Sequence, residues 1–172
     1  GGFFLINAAL AYAIIFFEHH HVHAENHAME NVQALVLAAG VLAHLYFFDA
    51  QKANGFFHGI LSLLCFSFLL RELDVEDFPL PLLLIHLGSG VGRNILLLAL
   101  WSSLAYRGAG RVVDGSFTLE ALARRFFSSY FGLVFLLLGA SAAFDQQLLG
   151  VSHPRLFEEL LEVNAYLCLV VP

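Results

Sequence analysis

Residues 56–74 read FFHGILSLLCFSFLLRELD, fifteen positions without a Lys, Arg, Asp or Glu, closed at once by Arg71, Glu72 and Asp74. An apolar run with charges gathered at its end is what a helix crossing a hydrocarbon layer presents. Similar runs occupy 3–17, 32–48, 95–106, 130–144 and 160–171. Each is shorter than the roughly 20 residues that a crossing requires. Each must therefore recruit semi-polar flanks, and those flanks carry the ionisable side chains. The expectation is an all-α, polytopic transmembrane helical bundle of six spans, forming a single domain over residues 1–172.

Composition agrees with that expectation. Hydrophobic residues make up 59% of the chain and charged residues 13%, with a mean hydropathy of +0.78. A soluble domain carries about 25% charged residues, and a small one cannot hide so much apolar surface in one core. Lipid is the better solvent for this chain. The net charge is −6, with no basic run suited to a phosphate backbone, so nucleic acid is excluded as a partner. Cys65 and Cys168 both fall within predicted spans and make neither a disulfide framework nor a ligand pair by spacing.

The stretch 79–106 is apolar apart from 88–94, which reads GSGVGRN. As one helix it would be about 42 Å long and would carry Arg93 near its middle. A cation at the centre of a bilayer costs about 2.5–3.5 kcal/mol. The sequence therefore predicts an interfacial or re-entrant piece over 80–87, a glycine-rich break, and a span starting near Arg93. Gly88 and Gly92, four apart, suit close helix packing.

With six spans the loops alternate between two sides. One side receives 18–31, 71–93 and 145–157, together with the opening 158–162 of the last span. It holds eleven of the fourteen carboxylates, all except Asp49, Asp114 and Glu120. The other side receives 49–55 and 107–129, with Lys52, Arg107, Arg111, Arg124 and Arg125, five of the eight cations. The excess of cations places this second side in the cytoplasm. Both chain ends are then cytoplasmic, in a bacterial inner membrane. Residues 115–129 read as a short amphipathic helix, with Ser116 or Thr118 as its N-cap and a basic end toward anionic lipid.

On the acidic side nearly every helix mouth carries an ionisable group. The expected polar network comprises Glu30, Arg71, Glu72, Asp74, Arg93, Glu158 and Glu162. Glu158 and Glu162 are four apart and share one helical stripe. Interfacial helix-ending residues would account for Glu158 at a helix start, where the dipole favours an acid. They account poorly for Glu72 at a helix end and for Glu162 one turn deeper. A carboxylate at that depth needs a partner, and Arg71 or Arg93 is expected to supply it.

Residues 18–30 hold five His and three Glu. If the segment is helical, His19, His23 and His27 fall at i, i+4 and i+8, a spacing at which neighbouring imidazoles share a divalent metal. The alternative is a solvated, titratable connector. His44 and His58 both fall near the cytoplasmic ends of their spans and can face each other, as a hydrogen-bonded pair or as haem ligands. His86 lies in the 80–87 piece.

No serine-nucleophile motif, zinc-protease helix or nucleotide fingerprint is present. The dispersed Ser, Asp and His pattern of alkaline ceramidase-like hydrolases is not matched. The layout, with an Arg-Glu-Leu-Asp end to one span and Glu-Glu-x-x-Glu opening the last, resembles that of bacterial multi-pass proteins and implies no activity. The expected function is non-catalytic: an accessory or assembly subunit, with the lipid bilayer and other membrane subunits as partners. A small ion or metal carrier fed by the His-rich segment is the alternative, and a metal-dependent intramembrane hydrolase a weaker one.

The topology is checked by labelling single cysteines, in a background lacking Cys65 and Cys168, with a reagent that cannot cross the membrane. Probes at Asn26 and Ser152 are expected to react from outside and a probe at Ala109 to be protected. The reverse pattern inverts the assignment.

Overall fold

The computed structural model describes residues 22–48, 53–73, 75–113, 118, 120, 123–124, 127, 129–146 and 154–170, with the backbone alone given at 22–29, 53–54, 77, 129–130 and 154–156. The first predicted span and most of 115–129 lie outside these residues. Among the described residues the chain is helical and has no strand. Its helices are α1 (Val22–Tyr46), α2 (Ala53–Glu72), α3 (Leu82–Gly88), α4 (Gly90–Val113), α5 (Ser129–Asp145) and α6 (Pro154–Val170), with a 3-10 turn at Val75–Asp77.

Helices α1, α2, α5 and α6 enclose the core. Leu37 comes from α1, Leu61 and Cys65 from α2, Phe131 and Val134 from α5, and Ala165, Tyr166 and Leu169 from α6. Phe57 meets Phe131 edge-on at 5.5 Å between ring centres, joining the starts of α2 and α5. Helices α1 and α6 run antiparallel to α2. The end of α1, the start of α2 and the end of α6 meet at one pole, and the end of α2 meets the start of α6 at the other. Helix α4 stands outside this core. It packs on α2 and buries none of its residues.

One close approach sets the spacing of the core. A Cβ placed on Gly40 of α1 would lie 2.8 Å from Val170 Cγ2 and 3.0 Å from Cys65 Sγ. The glycine lets α1 sit against α2 and α6 together, the role small residues play wherever helices approach closely.

The glycine-rich break is sharper than a helix start near Arg93 suggests. Helix α3 begins after Pro81, whose φ is −55°, and ends at Ser89. Helix α4 starts at Gly90, with φ +50°, a left-handed backbone that glycine accepts without strain. The two helices meet at 69°. Gly92 serves this bend and Gly88 a packing contact with the preceding turn, rather than a contact between separate spans. Gly88 lies under Val75 of the 3-10 turn, and Gly92 lies against the carbonyl of His86.

Other boundaries also move. Helix α1 begins ten residues before the predicted start at 32, so His23 and His27 stand on helical backbone. Helix α4 continues to Val113 and takes Arg107 and Arg111 out of the predicted loop. Polar residues can extend a helix beyond its apolar run because they are ordinary helix formers, and the apolar pattern does not register them. Among the described residues Gly55–Glu72 is long and apolar enough to cross a membrane. The bent pair α3–α4 is a second such segment if it counts as one span, and Phe131–Asp145 is apolar but shorter.

Gly40→Ala is expected to lower stability by about 1–3 kcal/mol, the usual penalty for forcing extra atoms into a packed site. Gly132→Ala, with nothing within 4 Å of the added carbon, should be neutral or gain up to about 1 kcal/mol from helix propensity. Thermal unfolding of the purified chain in detergent distinguishes the two.

Candidate functional site: a shared guanidinium between two helices

The last turn of α2 and the first half of α6 meet through their ionisable side chains. Arg71 Nη2 donates to Glu162 Oε1 at 2.6 Å, and Arg71 Nε lies 3.3 Å from Glu72 Oε1. The hydroxyl of Tyr166 donates to the same Glu72 oxygen at 2.8 Å. Four groups thus form one chain, Tyr166–Glu72–Arg71–Glu162, which crosses twice between α2 and α6. Charge-assisted bonds of this length are the strong class of hydrogen bond.

Burial is uneven along that chain. The side chains of Glu72 and Glu162 are 9% and 8% exposed, whereas that of Arg71 is 53% exposed. The carboxylates therefore sit inside the bundle and the guanidinium closes over them from outside. Helical geometry explains the set on α6. Glu158, Glu162 and Tyr166 follow at four-residue spacing on one stripe, and Glu162 and Tyr166 are the buried members.

Four neighbours complete the acidic pole. Arg93, in the first turn of α4, donates to the Leu70 carbonyl at 3.0 Å and satisfies one of the carbonyls left open at the end of α2. Gln33 of α1 is buried and directs its amide nitrogen to the Glu159 carbonyl at 3.4 Å. Glu30 lies within electrostatic reach of Glu72. Glu158 is half-buried one turn before Glu162.

The structure thus brings Arg71, Glu72 and Glu162 into contact, with Glu30 and Glu158 near them. Of the two arginines left open by the sequence, Arg71 takes Glu162 and Arg93 takes a backbone carbonyl. Asp74 lies outside the described residues. So does His19, and the side chains of His23 and His27 do too, so the divalent-metal expectation falls on groups outside the description. Tyr166 was not part of the expected network. Its position four residues after Glu162 was the available signal, obscured because a tyrosine in an apolar run reads as core.

The opposite pole carries a second polar contact. His44 is buried, with Nε2 2.8 Å from the Leu169 carbonyl and Nδ1 3.0 Å from His58 Nδ1. A carbonyl only accepts, so Nε2 of His44 carries the hydrogen. In a neutral pair His44 Nδ1 then accepts from His58 Nδ1. The two rings are in direct contact, which is the hydrogen-bonded arrangement of the two readings drawn from sequence. Helix α4 is pinned between the poles by Trp101, whose indole donates to Ser67 Oγ at 3.1 Å. The Ser67 hydroxyl in turn donates to the Leu63 carbonyl at 2.7 Å.

No family model, curated protein or solved structure matches the chain.

The shared guanidinium makes the two ends of the pair unequal. Arg71→Ala leaves two buried carboxylates facing each other and is expected to cost about 3–5 kcal/mol, the usual range for a buried charge that loses its partner. Glu162→Ala leaves Arg71 with Glu72 and should cost about 1–3 kcal/mol. Thermal unfolding in detergent of both single variants and the double measures this. Equal single losses that simply add in the double would rule out a guanidinium shared between two acids.

Proposed function

We propose that the chain is an integral membrane protein of six spans with both ends in the cytoplasm. In this reading it serves a bacterial inner-membrane complex as a non-catalytic accessory or assembly subunit. The observation that carries this reading is how the polar groups are used. Arg71, Glu72, Glu162 and Tyr166 fasten α2 to α6, Arg93 and Trp101 fasten α4 to α2, and His44 joins α1 to α6 and α2. These groups are occupied in holding helices together.

The outer surface supports the same reading. Leu35 and Leu42 on α1, Ile95 and Leu98 on α4, and Phe135 and Leu136 on α5 are each more than 60% exposed. Soluble monomers seldom leave large side chains of this kind uncovered over several helices. Lipid covers such a surface without cost, and neighbouring subunits pack against it.

A second reading, a small proton or cation carrier, draws on one feature of the acidic pole. Two buried carboxyl groups share one guanidinium, and Glu30 adds a third acid close by. An excess of acids over cations is the composition from which membrane proteins build ion and proton sites.

Purification from native membranes in mild detergent, with partner identification and metal analysis, separates the two. An accessory subunit is expected to bring a partner in fixed ratio, released when Ile95 and Leu98 are both replaced by Ala while the chain stays in the membrane. A carrier is expected to show proton- or metal-dependent flux in vesicles that Glu162→Gln abolishes. A chain that purifies alone, without flux, contradicts both.

A further inference from the structure

A groove of about 390 Å³ runs along the side of the bundle, remote from the acidic pole. Helix α2 forms its floor and α1 and α4 its walls. It is lined by Val41 and Leu45 of α1, Leu63 and Phe66 of α2, and Leu104 and Arg107 of α4, among others. The lining residues fall on single helical stripes. On α4 they are Leu100, Ser103, Leu104 and Arg107, at i, i+3, i+4 and i+7, and α2 repeats the same spacing from Gly59 to Phe66.

The stripes give the groove a direction. Seven residues of helix rise about 10 Å. The inner end, at Val41, Phe66 and Leu100, is wholly apolar. The outer end opens beside Phe48, Gly59 and Arg107 at the pole where His44 and His58 lie. Arg107 is exposed, and among the described residues no carboxylate pairs with it. Arg111 follows one turn later on α4, its guanidinium 5.5 Å from the centre of the Phe56 ring. An apolar slot with a cation at its mouth matches an amphiphile with a hydrocarbon tail and an anionic head.

Charge and lining together select the occupant. The groove is largely apolar along its stripes, as an acyl chain requires, and Arg107 is the one cation among its lining residues, as an anionic head requires. We propose that this groove seats one acyl chain of an anionic phospholipid, with Arg107 on its phosphate. This rests on the membrane placement proposed above, where the Arg107 pole faces the cytoplasmic leaflet that anionic lipids occupy.

The test is native mass spectrometry of the full chain released from detergent containing phosphatidylglycerol or phosphatidylcholine at equal concentration. The parent is expected to retain phosphatidylglycerol about fivefold better, the ratio that corresponds to about 1 kcal/mol for one basic residue at an anionic surface. Arg107→Gln should bring the ratio close to one. Arg124→Gln, which removes a charge from the same side but outside the groove, should leave it unchanged. Ser103→Trp, at an exposed position on the groove wall, should reduce retention of both lipids.

An undiminished preference in Arg107→Gln, or undiminished retention in Ser103→Trp, overturns the proposal. So does a co-purifying polypeptide, in place of lipid, that Ser103→Trp displaces. Alkaline extraction of the expressing cells distinguishes failure of the membrane reading. A chain released into the soluble fraction contradicts that reading, whereas a chain kept in the membrane without lipid preference contradicts this site alone.

Discussion

The Arg71 guanidinium, held by a carboxylate from its own helix and one from a helix 91 positions later in the chain, fixes what apolar packing leaves open. Helix α5 is apolar all round, and α2 is apolar over most of its length. Such helices bury almost equally well in many rotations and registers. Polar contacts cannot slide, because a shift of one residue turns a side chain about 100° away from its partner. The Arg71 cluster thus selects one register of α2 against α6. Tyr166 reinforces it by placing its ring in the core and its hydroxyl on Glu72.

The rest of the arrangement follows from having such contacts at both poles. Arg71 and Glu162 tie α2 to α6 at one end, and His44 ties α1 to both at the other through His58 and the Leu169 carbonyl. Between them the core can be built from Leu, Val, Phe and Ala, with Gly40 setting the distance between α1 and its neighbours. Helix α4 is fastened along α2 by Arg93 and Trp101, with Arg111 over the Phe56 ring at its far end. It stands away from the core and leaves the groove between itself and α1.

Much of this was legible in the sequence, for definite reasons. The charge-free runs announced helices, and GSGVGRN at 88–94 announced a break, because glycine clusters and a cation interrupt an apolar helix in any setting. The candidate cluster was legible through misfits. Glu72 stands at the wrong end of a helix dipole, and Glu162 lies one turn too deep for a helix-ending residue. What stayed hidden depended on rotation about helix axes. The run carrying Arg71 is apolar on nearly every face and does not say which way it turns, so Arg71 could not be chosen over Arg93. Tyr166 could not be told from a core aromatic, and the stripe carrying Arg107 could not be aligned with those of α1 and α2. Helix limits were missed where polar residues extend α1 and α4, since the apolar pattern stops before the backbone does.

The most direct test is a dipolar-recoupling measurement between ¹⁵N-labelled arginine guanidinium and ¹³C-labelled glutamate carboxyl groups, on the full chain in phospholipid bilayers. The Nη2–Oε1 separation of 2.6 Å between Arg71 and Glu162 predicts a strong short-range coupling, of which one component is lost in Glu162→Gln. A coupling pattern unchanged by Glu162→Gln would contradict the account, because the two helices would then be held in register by something other than this contact.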